Sequence, residues 1–265
     1  MIKTDNQQMK NTNTKSAPVS AVVLSRNEET NIAHCLETIL WCQEIILIDA
    51  SSDDTLGIAK SVVPEEKLKV VNLSESSDFA KLRNLGLKAA SNDWVLFVDA
   101  DQRVSAALRG EIEYELSQDD IPYAGFRFRQ LDFFAGRHLK FGETGNTCHV
   151  LLGTKGTGEW KRRVHEYWDL VGDVKNLKHP ILHYPHPTLT EFINHINRWS
   201  TLDARVFIEE GQKPSLWKVF VYPKAKFIQN YLLRLGFLDG FQGLLVAFMM
   251  SLHSLCVRVK MFTGG

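Results

Sequence analysis

Two aspartates separated by one alanine, Asp99 and Asp101, follow the apolar run WVLFV. Asp49 ends a second apolar run, and the polar stretch Ser25-Arg26-Asn27-Glu28 ends a third. Carboxylate oxygens are the ligands that hard divalent cations prefer, and they accept hydrogen bonds from sugar hydroxyls. Carboxylates that converge without a partner repel one another, so we expect a cation or a hydroxyl-rich ligand between them.

Each aspartate also has a structural interpretation. Asp101 is placed to cap a helix that begins near Val104, and Asp49 is placed to stabilise a turn. An Asp-x-Asp motif is common by chance and does not decide the question alone. The ligand-binding interpretation gains weight because Asp49 ends a separate core strand and Asp53-Asp54-Thr55 opens the helix after it.

The elements that must position these residues alternate between two periodicities. Four short apolar runs are typical of strands buried on both faces: 19–25, 44–50, 68–73 and 93–100. Between them, helical spacing of apolar residues predicts helices over 29–40, 53–63 and 78–90. This alternation indicates a doubly wound, mostly parallel α/β sheet, whose ligands bind at the carboxyl ends of the strands.

Composition narrows the class of protein. The chain has 265 residues, 44% of them hydrophobic, and a formal net charge of zero, which gives no general reason to expect a nucleic-acid partner. The four cysteines lack zinc-ligand spacing and favour a reduced, intracellular protein. Residues 1–17 are polar, carry no secretory signal pattern and are expected to be a disordered lead-in.

The succession AVVLSRNEE, IILIDASSDDT and KLRNLGLKAASNDWVLFVDAD resembles the nucleotide-sugar-binding half of family 2 glycosyltransferases, which are inverting enzymes of GT-A fold. Through RRVHEYW and FIQNYLLRLGFLDGFQGLLVAF, the resemblance narrows to bacterial lipopolysaccharide core β-1,4-glucosyltransferases. It implies a Rossmann-like, mostly parallel sheet flanked by helices, with a C-terminal helical extension. It also implies a metal-dependent hexosyltransferase.

The resemblance also assigns roles to individual residues. It places Ser25, Asn27 and Glu28 beside the nucleotide, Asp49 on the uracil or ribose, and Asp99 on the ribose. Asp101 would hold Mg²⁺ or Mn²⁺ bridging the diphosphate. Lys81 and Arg83 offer positive charge to the same phosphates. For both residues the alternative is a solvent-exposed charged helix face, and this alternative is weaker for Arg83 than for Lys81.

Inverting transfer also needs a general base, because an acceptor hydroxyl is a poor nucleophile until its proton is removed. Glu166, in RRVHE, is the candidate, and a strand-borne glutamate paired with a neighbouring arginine is the structural alternative. His165 is by default a satisfied structural histidine.

Three histidines, His179, His183 and His186, lie close together in HPILHYPHP. Two prolines break their spacing and no fourth ligand is near, so we predict a strand and a turn leading into a helix over 189–210 instead of a zinc site. One of these histidines could still complete the coordination of the metal at Asp101.

The C-terminal end, 211–265, carries seven Lys or Arg residues against one aspartate, interleaved with aromatic and aliphatic residues. That mixture suits a helix lying on an anionic bilayer. Residues 240–257 are apolar for about the length of a short membrane span, but the recurrence of large apolar residues favours a one-faced helix. Packing on the protein's own core is the alternative, and the two are compatible.

These observations predict three segments and one activity. The segments are the lead-in 1–17, a catalytic domain 18–187 divided into a nucleotide-sugar half (18–103) and an acceptor half (104–187), and a membrane-associating extension 188–265. The expected activity is transfer of glucose from UDP-glucose to an inner-core heptose of lipopolysaccharide, at the cytoplasmic face of the inner membrane. Transfer to a polyprenyl phosphate or another glycan remains an alternative within this class.

Two alternatives come from other classes of protein. A sugar-phosphate nucleotidyltransferase would share the sheet and the acidic site, but it needs a glycine-rich loop after the first strand, where SRNEE has no glycine. A non-catalytic membrane scaffold would keep the core and the basic end without needing polar strand ends.

Overall fold

The computed structural model describes residues 18–73, 78–163, 165–185 and 188–263, apart from the side chain of Asn146. The predicted lead-in 1–17 and His186 lie outside the described residues. The strands are β1 (Val19–Ser25), β2 (Glu44–Asp49), β3 (Leu68–Asn72), β4 (Trp94–Asp99), β5 (Gln102–Arg103), β6 (Gly125–Phe134), β7 (Arg137–His138), β8 (Cys148–Thr154), β9 (Gly158–Lys161), β10 (Tyr167–Leu170), β11 (Val174–Asn176) and β12 (Ile181–His183). The α-helices are α1 (Ile32–Glu37), α2 (Thr55–Val62), α3 (Phe79–Ala89), α4 (Ala106–Glu115), α5 (Leu189–Glu209), α6 (Leu216–Ile228) and α7 (Gly240–Thr263).

The main sheet is mixed and has the strand order β3-β2-β1-β4-β8-β6-β12-β5. Strands β3, β2, β1 and β4 are parallel, as the alternation of strands and helices predicts. The sheet then continues through β8, which is antiparallel to β4. Strands β7 and β11 pair with β6, and β9 and β10 form a separate hairpin. The α/β fold class is therefore confirmed.

The core lies on both faces of the parallel strands. Strands β1, β2 and β4 are buried because each is an almost unbroken apolar run between two layers of helices. Helix α3 packs closely on β1, since a Cβ atom added to Gly86 would lie 2.3 Å from Cγ1 of Val22. Aromatic rings fill the space beside α3 on the same face, where Phe97, in register with Val22, packs edge-on against Trp160 and Trp168.

The first helix is shorter than its apolar pattern predicts, since α1 occupies only Ile32–Glu37 of the stretch 29–40. The helix after β4 also begins later than expected, at Ala106. Its N-cap is Ser105, whose hydroxyl accepts a hydrogen bond from the amide of Leu108. Asp101 therefore does not cap this helix, and its structural interpretation as a helix cap is wrong.

The C-terminal helices pack on the catalytic half. Phe134 and Leu139 cluster with Phe192 of α5 and Met249 of α7. Buried Asp239, in the 3₁₀ turn Gly236–Asp239, accepts hydrogen bonds from the amides of Lys140 and Phe141. The alternative of packing on the protein's own core therefore holds for one face of α7.

Candidate active site

Ser25 and Asp49 lie side by side at the carboxyl ends of β1 and β2, because these parallel strands place the two residues in register. The Ser25 hydroxyl donates to Oδ1 of Asp49 at 2.7 Å, and the Ser51 hydroxyl donates to the same oxygen at 2.6 Å. The Asp49 side chain is thereby held in one orientation at the edge of the sheet.

The loops after β1 and β2 are bonded to each other. Asn27 has a left-handed backbone (φ 56°), its amide donates to the Ser51 hydroxyl, and its Oδ1 accepts from the amide of Ser52 at 2.8 Å. The amide of Glu28 donates to the Thr55 hydroxyl at 2.8 Å. These bonds fix the backbone of the polar stretch 25–28.

The Glu28 carboxyl lies close to the other acidic groups. Burial, followed by the negative charge of Asp101, raises the pKa of this carboxyl to about 7. Asp99 and Asp53 add to the effect. Carboxylates that follow β1, β2 and β4 in the chain therefore share one electrostatic environment.

Arg83 joins Asp99 to Glu166. Its Nε atom donates to Oε1 of Glu166 and one terminal nitrogen donates to Oδ1 of Asp99, both at 2.9 Å. The guanidinium is buried and stacks over the Trp160 ring at 4.6 Å from the ring centroid. Its other terminal nitrogen is buried without a hydrogen-bond partner in the described part of the chain.

Glu166 lies just before β10, outside any strand, and its partner is Arg83 and not one of the arginines beside it in sequence. The structural alternative of a strand-borne glutamate is therefore wrong in that detail. The assignment of Glu166 as general base stays a prediction, as does contact between Arg83 and phosphate.

Asp101 faces a histidine that the sheet brings to it. Nε2 of His183 lies 3.2 Å from Oδ2 of Asp101, and its Nδ1 lies 2.7 Å from Oδ1 of Asp132. Strand pairing explains the arrangement, because His183 is in register with Gln102 of β5 and with Asp132 of β6.

A chain of hydrogen-bonded side chains connects Asp101 and His183 to the neighbouring strands. Gln130 donates to Oδ1 of Asp132, Gln102 donates to Gln130, and the Gln102 side-chain oxygen accepts from the amide of Asp99. Asp99 and Asp101 are thus connected through one polar network inside the sheet, which restricts the movement of both.

The charges of this network reinforce one another. Burial opposes ionisation of His183, but Asp101 and Asp132 outweigh it and raise the pKa of the imidazole well above the ordinary 6.5. Burial would raise the pKa of Asp101, but the charge and hydrogen bond of His183 lower it below the usual value. Asp101 and His183 therefore favour each other's charged forms.

The same pair fits a divalent cation. Two adjacent ligands of an octahedral ion at about 2.1 Å lie about 3 Å apart, close to the 3.2 Å that separates Asp101 and His183. A carboxylate on the second nitrogen of the imidazole, here Asp132, is the usual support of a metal-binding histidine. No group of three such ligands occurs among the described residues, so remaining positions would need ligand or water oxygens.

A polar cleft of about 620 Å³ lies beside these residues, between the loops after β1 and β2 and helix α5. It is lined by Arg26, Asn27, Glu28, Glu29, Thr30, Asn31, Asp53, Pro185, Glu191, Asn194, His195 and Arg198. The His195 ring stacks on Trp199 at 5.5 Å, and burial lowers the pKa of its imidazole to about 4. We call this the α5 cleft.

Lys81 stands apart from this arrangement. Its side chain is 79% exposed and its ammonium lies 3.3 Å from Asp78, three residues earlier on α3. It is not among the residues that line the α5 cleft. Its assignment to phosphate stays a prediction.

Asp132, Gln130 and His195 are site residues that the sequence did not reveal. A signal was present in β6, whose sequence GFRFRQLDFF places Gln130 and Asp132 two residues apart on its buried and otherwise apolar face. Buried polar residues on one face of a strand need partners, and here they are supplied by β5 and β12.

The sheet and its flanking helices have the GT-A fold. The mannosyltransferase PcManGT from Pyrobaculum calidifontis, in complex with GDP-Man and Mn²⁺, superposes with a TM-score of 0.51 over 92% of this chain and 86% of its own, at 13% identity. S. aureus TarS 1–349 in complex with UDP-GlcNAc gives 0.50 over 93% and 91%, at 14% identity.

The family model for glycosyl transferase family 2 matches residues 20–162, and the chain belongs to that family. The lipopolysaccharide core biosynthesis glycosyltransferase LpsC of Rhizobium meliloti is 26% identical over 88% of this chain and 90% of its own length. This membership favours the glycosyltransferase interpretation over the nucleotidyltransferase one.

Proposed function

We propose that this protein is a metal-dependent, inverting hexosyltransferase that transfers glucose from UDP-glucose to an inner-core heptose of lipopolysaccharide. One observation carries the proposal: Arg83 bonds both Asp99, at the donor edge of the sheet, and Glu166, the candidate base. The similarity to LpsC supports the acceptor class, and the bound nucleotide sugars of the two similar structures support the donor class.

The donor would lie in and beside the α5 cleft. Asp49, oriented by Ser25 and Ser51, would accept hydrogen bonds from the uracil or ribose. Asp99 would accept from the ribose. Asn27 and Glu28 form the wall of the cleft beside the nucleotide.

Asp101 and His183 would hold Mg²⁺ or Mn²⁺, with Asp132 fixing the orientation of the imidazole. When bound, the ion supplies positive charge to the departing diphosphate. Because the neighbouring carboxylates raise the pKa of His183, a cation at its Nε2 atom would compete with a proton. PcManGT, which binds Mn²⁺ with its nucleotide sugar, supports this part of the proposal.

Glu166 would remove the proton of the acceptor hydroxyl. Arg83 holds its Oε1 atom, and no described residue donates to Oε2, which is left to take the proton. As the O–H bond breaks, the oxygen bonds to the anomeric carbon and the sugar–diphosphate bond breaks on the opposite face. The products are the β-linked sugar, UDP and protonated Glu166.

The C-terminal helices would bring the enzyme to its lipid-linked acceptor. Several large apolar side chains of these helices are more than half exposed. They include Leu216, Trp217 and Phe220 on α6, Leu233 in the turn after α6, and Phe241 and Phe248 on α7. The stretch Gly236–Thr263 is long and apolar enough to cross a membrane, with a mean hydropathy of 1.6. Since α7 also packs on α5, we propose peripheral binding to the cytoplasmic face of the inner membrane.

The activity is tested by incubating the purified chain with UDP-glucose, Mn²⁺ or Mg²⁺ and lipopolysaccharide whose core ends at the inner-core heptose. We expect the mass of the lipopolysaccharide to rise by one hexose, and the rise to disappear with a chelator. Polyprenyl phosphate and an unrelated glycan are the comparison acceptors. Transfer to either of these and not to the lipopolysaccharide would contradict the proposed acceptor.

Membrane binding is tested by sedimentation with vesicles in which about one third of the lipid is anionic. Trp217→Ser with Phe220→Ser should reduce the bound fraction, because both side chains are exposed on α6. Tyr114→Ser, an exposed aromatic residue on α4, is the matched control. Equal binding of the two variants would contradict the proposed surface.

A further inference from the structure

A second cavity, of about 560 Å³, lies among the C-terminal helices and shares no lining residue with the α5 cleft. Helix α5 contributes Asp203 and Phe207, α6 contributes Tyr222 and Lys226, and α7 contributes His253 and Arg258. We call it the helical cavity. Its lining is charged, which is unusual for a space between packed helices and points to a polar occupant.

Most charges in the helical cavity are already matched. The Asp203 carboxylate faces two imidazoles, with Nε2 of His165 at 3.1 Å and Nε2 of His253 at 3.6 Å. The Glu143 carboxylate accepts from Lys226 at 2.7 Å and from Asn230 at 3.1 Å. Neither carboxylate therefore needs a cation from outside the protein.

Arg258 is the exception. Its guanidinium lies between two aromatic rings, 4.4 Å from the centroid of Tyr222 and 5.0 Å from that of Phe207. Across the described ranges, no carboxylate lies within salt-bridge distance of it. One terminal nitrogen donates to Sδ of Met261 at 3.7 Å, and its Nε atom is buried without a hydrogen-bond partner. A partly buried guanidinium with no counter-ion is costly unless an anion joins it.

The helical cavity also lies next to the segment that carries the candidate base. His165, which lines it, immediately precedes Glu166. Helix α5 lines the α5 cleft with His195 and the helical cavity with Asp203, eight residues later, which is about 12 Å along a helix. The helical cavity therefore begins at the residue next to the candidate base, and a long acceptor bound at Glu166 has this cavity within its reach.

We infer that the helical cavity binds an oxyanion of the acceptor glycolipid, a phosphate or a carboxylate, and that Arg258 is its cationic partner. This inference rests on the proposed function, because it treats the acceptor as anionic and lipid-linked. It adds a specificity determinant: acceptors that carry the anion near the accepting sugar bind more tightly than neutral ones.

The kinetic test compares Arg258→Gln with Arg205→Gln, which removes the same charge from an exposed position on α5. Loss of a charge-assisted contact should raise the acceptor KM of Arg258→Gln about 10- to 100-fold, and Arg205→Gln should stay within about twofold of the wild type. Arg258→Lys, which keeps the charge, should recover part of the loss.

Modified acceptors identify the source of the anion. The same lipopolysaccharide is used intact, after removal of phosphates with hydrofluoric acid, and after reduction of its carboxyl groups. The difference between wild type and Arg258→Gln should vanish for the acceptor that lacks the recognised anion. An equal KM ratio for all three acceptors would overturn the inference and leave Arg258 a structural residue.

A binding measurement keeps the inference separable from the proposed function. The Nε–H resonance of Arg258, assigned by its loss in Arg258→Lys, is followed by NMR during titration of the full chain with inorganic phosphate and with acetate. A saturable shift supports an oxyanion site even if lipopolysaccharide proves not to be the acceptor. No shift with either ion overturns the inference even if transfer to lipopolysaccharide is observed.

Discussion

Arg83 is the residue whose replacement tests the arrangement of the site most sharply. It is buried, and it donates to Glu166 and Asp99 at 2.9 Å each. Arg83→Met keeps the length and apolar contact of the side chain but leaves two carboxylates without their shared cation. Breaking a buried ion pair in this way costs about 3–5 kcal/mol, so we expect the free energy of unfolding to fall by that amount.

The measurement is urea unfolding followed by tryptophan fluorescence, with Arg109→Met as the matched control. Arg109 also pairs with a glutamate, Glu113, at 2.9 Å and stacks over a tryptophan, Trp41, but its side chain is 45% exposed. An exposed pair of this kind contributes less than about 1 kcal/mol. Arg83→Met should therefore lower the urea midpoint by about 1–2 M more than Arg109→Met does.

A rescue experiment separates lost charge balance from lost packing. Adding Asp99→Asn and Glu166→Gln to Arg83→Met removes the uncompensated carboxylates, and we expect most of the lost stability to return. The reasoning would be refuted if Arg83→Met were no less stable than Arg109→Met, or if the triple variant were less stable than Arg83→Met alone.

Three further changes test separate parts of the site. Glu166→Gln should lower the transfer rate by about two decades or more while UDP-glucose affinity, measured by calorimetry, stays within about threefold; an unchanged rate would exclude the base role. Asp132→Asn should weaken Mn²⁺ affinity about 10- to 100-fold, because it removes the support of His183, and equal affinity would contradict the proposed ligand. In metal-free protein, we compare the free energy of unfolding of Glu28→Gln with that of the wild type. The difference should shift in favour of the variant by about 2–3 kcal/mol as pH rises from 4.5 to 7. In that range Glu28 holds a proton in the folded wild type and has lost it in the unfolded chain, so the stability of the wild type falls as pH rises. A stability difference that does not change with pH would contradict the raised pKa of Glu28.

Local pattern was sufficient to predict the parallel half of the fold. The runs that become β1, β2 and β4 are apolar on both faces, which only a buried central strand tolerates, and their polar ends follow from the geometry of parallel sheets. Helix α1 shows the limit of this reasoning. The apolar spacing continues to Leu40, but the helix ends at Glu37.

The network around Asp101 was beyond the reach of such patterns. It depends on β12 pairing with both β5 and β6, which brings His183 to residues 82 and 51 positions earlier in the chain. The contact between Arg83 and Glu166 spans 83 residues in the same way. Spacing within a segment carries no information on such pairings, because they are set by the order of strands in the sheet.

The most direct test of the whole account is the affinity of UDP for the full chain, measured by calorimetry with Mn²⁺ and with chelator, in the wild type and in Asp101→Asn. The account predicts that Mn²⁺ tightens UDP binding to the wild type by about tenfold or more, and that Asp101→Asn loses this gain while remaining folded. Equal affinity with and without the metal in the wild type, or an undiminished effect of the metal in Asp101→Asn, would contradict it.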